Sequence, residues 1–449
     1  MIDRLFSALY AAGLVEQLQR RAIGQPADQM LSVSTPLPGD WPDLLALLPA
    51  DQPYWYFSRP KDGEQRLAIG HAWCIERSGA QRFAELDSIW QQCCARWQHD
   101  RPGLALLGFS FADDSPPPWP AARLAVPRLL LEQQAGHCQL TLSALVGELR
   151  NGQQPFFPWP VQPALPLPAL HAQPNPAADR AWLARVAQAL QAIERGHVDK
   201  LVLAHCRALC AEQPVPVASL LHRLMIQQPA ALIYAHGQAQ QVFLGATPER
   251  LCRRRGDEVD ADALAGTAWP GSPELASTKN QQEQFFVAHA VDRALAPWCL
   301  EPPHISPPVV HRAGHLQHLH GRIDARLRPG VSTWALIAAL HPTPAVGGFP
   351  VDAARHWLAN QREHRPAWFS GGLGYLTSDG DCDIHVALRG ASLNGPHITL
   401  PAGAGIVAGA EATLELAETH AKMAIMLNAL NGHLPATLAQ QNEGLEAYT

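Results

Sequence analysis

Eight prolines fall between Pro155 and Pro176, at positions 155, 158, 160, 163, 166, 168, 174 and 176. Proline fixes φ and lacks the N–H that a helix interior or a central strand requires, so this stretch can be neither and reads as a connector. It divides the 449-residue chain into an N-terminal α/β half, 1–176, ending in the connector 155–176, and a second half, 177–436. Before the connector, apolar runs at Tyr54 to Phe57, Leu104 to Phe111, Arg128 to Leu131 and Gln139 to Leu145 are punctuated by Gly and Pro and predict strands. After it, Trp182, Leu183, Val186, Leu190 and Ile193 share one helical face, with Gly196 as the stop. A strand from His197 to Leu209 follows, with Lys200, Val202, Ala204 and Cys206 on one side.

Further strands are predicted at Leu232 to Ala235, Val242 to Gly245, Ile384 to Leu393 and His397 to Leu400, and helices at Lys279 to Leu295, Trp334 to Leu340 and Glu411 to Leu430. Strands come in runs without strict βαβα alternation. That favours an α+β fold with antiparallel sheets, the two halves forming one integrated structural domain.

Lys+Arg 34 against Asp+Glu 40 leaves a net charge of −6, with no basic footprint for a phosphate backbone, so nucleic acid is not an expected partner. No apolar stretch approaches the roughly 18 to 20 residues that span a bilayer. Near the N-terminus, Leu5, Phe6, Leu9, Tyr10, Leu14, Val15 and Leu18 recur at helical spacing and read as an amphipathic helix, not a signal peptide. Nine scattered cysteines without a CxxC pair point to reduced thiols and a cytoplasmic location.

Four features carry candidate chemistry. Gly403-Ala404-Gly405-Ile406-Val407-Ala408-Gly409 is mis-spaced for a dinucleotide fingerprint and has no βαβ unit after it; it reads as a Gly-rich turn, either plain or holding an anion on its N–H groups. Glu411, Glu415, Glu418 and Lys422 share one face of the last helix. They form either a solvated stripe with a Glu418–Lys422 pair or a set of hard oxygen ligands for Mg²⁺. Lys200 interrupts an apolar strand, and is either a snorkelling lysine or, if desolvated in a cleft, a general base. Glu249 either pairs with Arg250 or serves, in a closed apolar site, as a protonated general acid. The histidines, among them His315, His318, His320, His341 and His385, lack zinc spacing; no GxSxG, Walker A or kinase signature is present.

Five segments then stand in one order: Gly245-Ala246-Thr247-Pro248-Glu249-Arg250-Leu251, Leu264-Ala265-Gly266-Thr267, His341-Pro342-Thr343-Pro344-Ala345-Val346-Gly347-Gly348, Ala387-Leu388-Arg389, and Ala402 to Gly409. Together they resemble the chorismate-utilising enzymes, and among these the isochorismate synthases. The likeness is close from about 177 to 430 and faint upstream, at Gly108 to Phe111 and Pro127 to Leu131. It implies an α+β fold of two large antiparallel sheets with helices around them, and a chorismate-binding catalytic second half.

It also implies roles. Lys200 matches the base that activates water for attack at C2 of chorismate, and Glu249 the acid that protonates the departing C4 hydroxyl. Glu283 and Glu418 match Mg²⁺ ligands, with Glu415 behind them. Arg389, Tyr375 and the Gly403, Ala404 and Gly405 backbone match the groups that hold the enolpyruvyl carboxylate. Gly266 and Thr267 match the ring-hydroxyl end, and His341 the ring carboxylate. The implied partner is the small molecule chorismate, with no nucleic acid, membrane or obligatory protein partner.

Departures narrow the type. Relatives that form aminodeoxychorismate tend to carry Lys where this chain has Ala265, salicylate-forming relatives tend to carry Thr where it has Ala345, and anthranilate synthases generally lack the lysine that Lys200 matches. Trp368 to Tyr375 and the long N-terminal half look more like the menaquinone-branch enzyme than the siderophore-branch one. Gly321 and Ala325 stand where relatives often have Thr and Gly, which should affect packing and not chemistry. The competing expectations are a salicylate synthase and a chorismate-binding regulatory protein.

Overall fold

A computed structural model describes residues 1–430 except 40, 42, 152–154, 156–157, 172–174, 270, 314–315 and 362, and omits the side chains of Glu274, Lys279 and Ala313. Parts of the connector, with Pro174, lie outside the described residues, as do His315 and 431–436.

Twenty-one strands and ten α-helices are present among the described residues. The fold is α+β, and every strand pairing is antiparallel except a short parallel one between Met30–Leu37 and Trp97–Gln98. The two expected sheets prove to be two arms of one hydrogen-bonded network. They part at the 13-residue strand Ala122–Gln134, whose first residues pair with Leu104–Phe109 and whose last pair with His137–Leu145, while its other edge runs along Glu64–Arg77. One arm continues through Tyr54–Arg59, Leu232–Gln238, Gln241–Thr247, Gly390–Asn394 and His397–Val407 to Lys200–Ala211. The other continues through Gly372–Thr377, Cys382–Val386, Arg250–Arg255 and Glu258–Ala268 to Leu316–Arg326.

Each arm therefore joins the two halves of the sequence at one strand pairing, Tyr54–Arg59 with Leu232–Gln238 in the first and Leu104–Phe109 with Gly372–Thr377 in the second. The segment Leu104-Ala105-Leu106-Leu107-Gly108-Phe109 is buried on both faces, which is why it reads as a continuous apolar run and not as an alternating one. At Gly108 a Cβ would stand 2.2 Å from the indole of Trp368. That indole stacks 5.3 Å from Trp55, so the packing of one half into the other requires glycine there.

Several predicted elements hold with shifted ends. Others are corrected. The N-terminal helix is two helices, Ile2–Ala11 and Leu14–Arg21, broken at Gly13, whose φ of 58° is left-handed. The predicted strand Ile384 to Leu393 is two strands separated by Ala387-Leu388-Arg389, with Arg389 at φ 51°. The Gly-rich turn is not a turn. Residues 403–407 continue the strand His397–Val407, with Gly403 opposite Ala204 and Gly405 opposite Val202, and the chain reverses only after it, where Gly409 has φ 78°. Glycine is used here to let other side chains approach the strand, a role that looks the same in sequence as a flexible loop.

In the connector, the described residues contribute a bridge between Pro49 and Val161 and the two-residue strand Leu170–His171. The helix Pro176–Glu194 then starts with proline in its first turn and Asn175 accepting from the Ala178 N–H.

Candidate active site

Four elements converge on one cleft, lined by polar and apolar side chains together. The strand Lys200–Ala211 supplies Lys200 and Val202 by its period of two, and its partner strand presents Gly403 and Gly405 beside them. A Cβ on Gly405 would lie 3.0 Å from both the Lys200 Cε and the Glu283 Oε1. Those two side chains therefore occupy the space that the missing side chain leaves.

Glu283 is presented by the helix Thr278–Leu295, whose Ser277 cap accepts from the Asn280 N–H. The helix is locked onto the neighbouring strand. Gln284 accepts from the Ala265 N–H at 3.1 Å and donates to the Ala263 carbonyl at 2.9 Å, and Asn280 accepts from the Thr267 N–H at 3.0 Å. Glu283 Oε2 accepts from the Gly266 N–H at 3.3 Å. Gly266 sits in the bulge between Ala265 and Thr267 with φ 71°, and a Cβ there would meet the Asn280 carbonyl at 2.9 Å; both the conformation and the contact call for glycine.

Glu249 follows Thr247, whose hydroxyl donates to the Val386 carbonyl at 2.7 Å and accepts from the Glu249 N–H at 3.3 Å. Its carboxyl is 2 % exposed, and burial, with Asp262 adding, pushes it up to about 8 against the pull of Lys200, Arg389 and Lys422. Arg250 does not pair with it, but binds Asp260 and Asp383 instead. Glu249 Oε1 and Arg389 Nη1 are both buried without a hydrogen-bond partner among the described residues. Orphaned polar atoms are costly in a folded interior, and here both belong to residues that line the cleft.

Arg389 Nη2 donates to His318 Nε2 at 2.9 Å, which fixes that nitrogen as an acceptor. The His318 proton is then on Nδ1, facing the Gly266 carbonyl at 3.3 Å and the Thr267 hydroxyl at 3.2 Å. Burial and the guanidinium hold His318 well below its ordinary value, and burial pulls Arg389 down to about 10. A neutral imidazole thus orients a cation that keeps one donor free.

From the C-terminal helix Ala412–Leu430, Lys422 Nζ bonds the Gly403 carbonyl at 2.7 Å and pairs with Glu418 Oε1 at 2.5 Å. The expected Glu418–Lys422 pair forms, and it stands in the cleft lining and not on a solvated stripe.

A family model described as chorismate binding enzyme matches residues 16–431. The chain belongs to the chorismate-binding enzyme family. Among its relatives, the salicylate biosynthesis isochorismate synthase of Pseudomonas aeruginosa is 32% identical over 398 residues, 81% of this chain and 82% of the relative. The isochorismate synthase MenF of Escherichia coli K12 is 28% identical over 434 residues, 92% of this chain and 96% of the relative. The solved structure of Escherichia coli MenF superposes with a TM-score of 0.77 at 24% identity, covering 94% of this chain and 99% of that one. Anthranilate synthase component I of Streptococcus pneumoniae gives 0.65 at 18% identity over 81% and 92%. These structural matches establish the fold as that of the chorismate-binding enzymes.

Of the residues singled out from sequence in this chorismate-binding enzyme, Lys200, Glu249, Gly266, Thr267, Glu283, Arg389, Gly403, Gly405 and Glu418 line one cleft. Four others do not. Tyr375 lies in the strand Gly372–Thr377 under the Arg66 guanidinium, 4.4 Å from its ring centre, and faces a different cavity. The chain leaves the cleft at Ser370, φ 63°, and five extended residues carry Tyr375 roughly 16 Å onward. The aromatic ring at the cleft is Phe369.

His341 donates from Nε2 to the Phe111 carbonyl at 3.2 Å and packs edge-on against Phe109 at 4.9 Å. Burial pulls it down to about 3, so it is neutral and supplies no charge to a carboxylate. Ala404 turns its methyl to the opposite face, among Leu201, Leu203 and Ile406. Glu415 is 2 % exposed and packed one turn before Glu418, outside the cleft lining. Sequence reading missed His318, Lys422 and Phe369 as cleft residues; only Lys422 carried a signal, its i+4 spacing from Glu418.

The carboxylates of Glu283 and Glu418 offer hard oxygen donors from two helices to one cleft, a set that fits a Mg²⁺ ion completed by substrate and water. Gly405→Ala should test this crowding. Its methyl would displace Lys200 or Glu283, so kcat/KM is expected to fall by about tenfold, equivalent to about 1.4 kcal/mol of barrier, with an unchanged far-ultraviolet dichroism spectrum; an unaltered kcat/KM would show that neither side chain is held there for function.

Proposed function

We propose that the chain is an isochorismate synthase, isomerising chorismate by addition of water at C2 and loss of the C4 hydroxyl. The observation that carries this reading is the shared cleft of Lys200 and Glu249, a buried amine and a buried carboxyl whose titration burial raises to about 8, with Arg389 Nη1 in the same lining and without a partner among the described residues. Lys200 takes a proton from the attacking water as its oxygen bonds to C2. Both conjugated ring double bonds shift, C1=C2 to C1=C6 and C5=C6 to C4=C5, and the C4 hydroxyl leaves with the proton of Glu249. The two residues then exchange protons with solvent and are restored, so substrate and product are isomers. Binding alone has no use for a paired base and acid, which argues against a regulatory binder.

Arg389 Nη1, oriented through the Nη2 bond to His318, suits a charge-assisted hydrogen bond to the enolpyruvyl carboxylate. Mg²⁺ held by Glu283 and Glu418 would supply the charge that lets an anionic ring carboxylate enter an acidic site. Ala265 and Ala345 line the cleft with methyl groups. The first offers no amine that could compete with water as nucleophile, and the second no hydroxyl of the kind salicylate-forming relatives carry.

Incubation of the purified protein with chorismate and Mg²⁺, with products resolved by chromatography and mass, tests the reading. A new species of unchanged mass is expected; release of pyruvate would indicate a salicylate synthase, and no turnover a binder. Chelation should abolish turnover and Mg²⁺ should restore it, whereas full activity in excess chelator would remove the metal from the account. The menaquinone branch is favoured as the pathway served, supported by the alignment with Escherichia coli MenF along nearly the whole of both chains. Deleting the gene in its host should then deplete menaquinone and leave siderophore output intact; the reverse pattern would assign the other branch.

A further inference from the structure

A second group of ligating side chains sits on the opposite face of the strand that carries Lys200. By the strand's alternation Lys200 and Val202 face the cleft, while Leu201, Leu203 and His205 face the other way, towards the helix Pro176–Glu194. There the His205 Nε2 lies 3.0 Å from Asp179 Oδ1, and the His420 Nε2 lies 3.7 Å from the same oxygen. One ligand atom from each of the three residues falls within 4.8 Å of the others. The His205 side chain is only 3% exposed, its Nε2 is aimed at Asp179, and its Nδ1 has no hydrogen-bond partner among the described residues. Trp182 packs edge-on against the ring at 5.8 Å and holds it in place.

A buried imidazole with one ring nitrogen unpartnered and the other aimed at a carboxylate that a second imidazole also approaches is not accounted for by a salt bridge alone. It is well explained as a ligand. In a tetrahedral site with bonds of 2.0–2.2 Å, neighbouring donor atoms stand about 3.4 Å apart, and the two separations given above straddle that spacing. Asp179 and His420 keep 37% and 15% of their side-chain surfaces exposed, which leaves an entry path and a place for water as a fourth ligand. Two imidazoles with one carboxylate select borderline ions such as Zn²⁺, Co²⁺ or Ni²⁺, where the cleft's carboxylates suit Mg²⁺.

We propose that Asp179, His205 and His420 form a binding site for a divalent transition ion of the zinc class, distinct from the cleft. Its ligands come from three elements: the helix Pro176–Glu194, the strand Lys200–Ala211 and the helix Ala412–Leu430. Occupancy ties the strand bearing Lys200 to the helix bearing Glu418 and stabilises that corner of the fold. This inference is independent of the reaction proposed for the cleft.

Titrating the full-length, metal-stripped protein with Co²⁺ in the presence of Mg²⁺ tests it. One equivalent should bind with the visible absorption of a tetrahedral nitrogen–oxygen set and no thiolate charge-transfer band. Zn²⁺ should displace it and raise the melting temperature. His420→Ala and Asp179→Asn, both at partly exposed positions, should each weaken binding by at least about tenfold and remove the Zn²⁺-dependent rise, while the metal-free melting temperature stays near wild type. Failure to bind Co²⁺, a thiolate band reporting cysteine ligation, or binding unchanged in both variants would overturn the proposal.

Discussion

Replacing Lys200 by alanine is expected to lower kcat/KM for chorismate by about 10²- to 10⁴-fold, the usual contribution of a positioned general base. The amine is buried beside Gly405 in the same cleft as Glu249, so in the proposed reaction the substitution removes the group that receives the proton of the attacking water and leaves the rest of the lining intact. Lys200→Arg sharpens the test. It keeps the positive charge but not the basicity, because a guanidinium does not give up its proton near neutral pH. Both variants should be inactive while still binding chorismate, as read by equilibrium titration. An arginine variant near the wild-type rate would mean that Lys200 acts as a fixed charge and not as a base.

Glu249→Gln is the second large effect. The amide keeps the shape but has no proton to give a departing hydroxyl, and turnover should fall by a similar factor. The pH dependence carries the sign. As an acid, Glu249 must be protonated, so the wild-type rate should decline as pH rises through about 8. The same group links stability to pH. Its carboxyl titrates at an ordinary 4.5 when unfolded and at about 8 when folded, so between these values the folded state binds more protons. Stability from this group is complete below 4.5 and is lost as pH rises through 8. Glu249→Gln lacks that loss and should melt at a higher temperature than wild type at pH 8 and above, although it is inactive. A lower melting temperature there would show that the carboxylate is accommodated as a charge.

Much of this site was legible because its residues sit in short segments where one atypical residue interrupts an otherwise uniform pattern. Lys200 stands out in an apolar strand, and Glu249 follows a Thr-Pro step that ends another. The i+3 and i+4 steps from Glu415 to Lys422 place a carboxylate pair and an ammonium on one helix face, though burial of Glu415 and exposure of Glu418 to the cleft depend on what packs against the helix. His318 carried no local signal. Its role comes from a strand pairing across the Gly266 bulge and from Arg389, 71 residues away.

The errors have the same origin. Gly403 and Gly405 look like a turn because glycine is the same residue whether it frees the backbone or clears space, and only the neighbouring Lys200 strand decides between the two. The resemblance assigns Tyr375 to the enolpyruvyl carboxylate, but the left-handed turn at Ser370 leaves Phe369 at the cleft and leads Tyr375 away from it. The separation into halves at the connector is real in sequence and does not extend to the sheet. Each arm joins strands from the two sides of it at one pairing, and such long-range register leaves no trace in local periodicity.

The central claim is that water, activated by Lys200, becomes the new ring hydroxyl as the old one departs protonated by Glu249. Running the reaction in water enriched in the heavy oxygen isotope and weighing the product tests it most directly. Each product molecule should carry one solvent oxygen, located at C2, and recovered chorismate should carry none beyond that produced by reversal. A product with no solvent oxygen would mean that the hydroxyl migrates within the substrate, and would contradict the account.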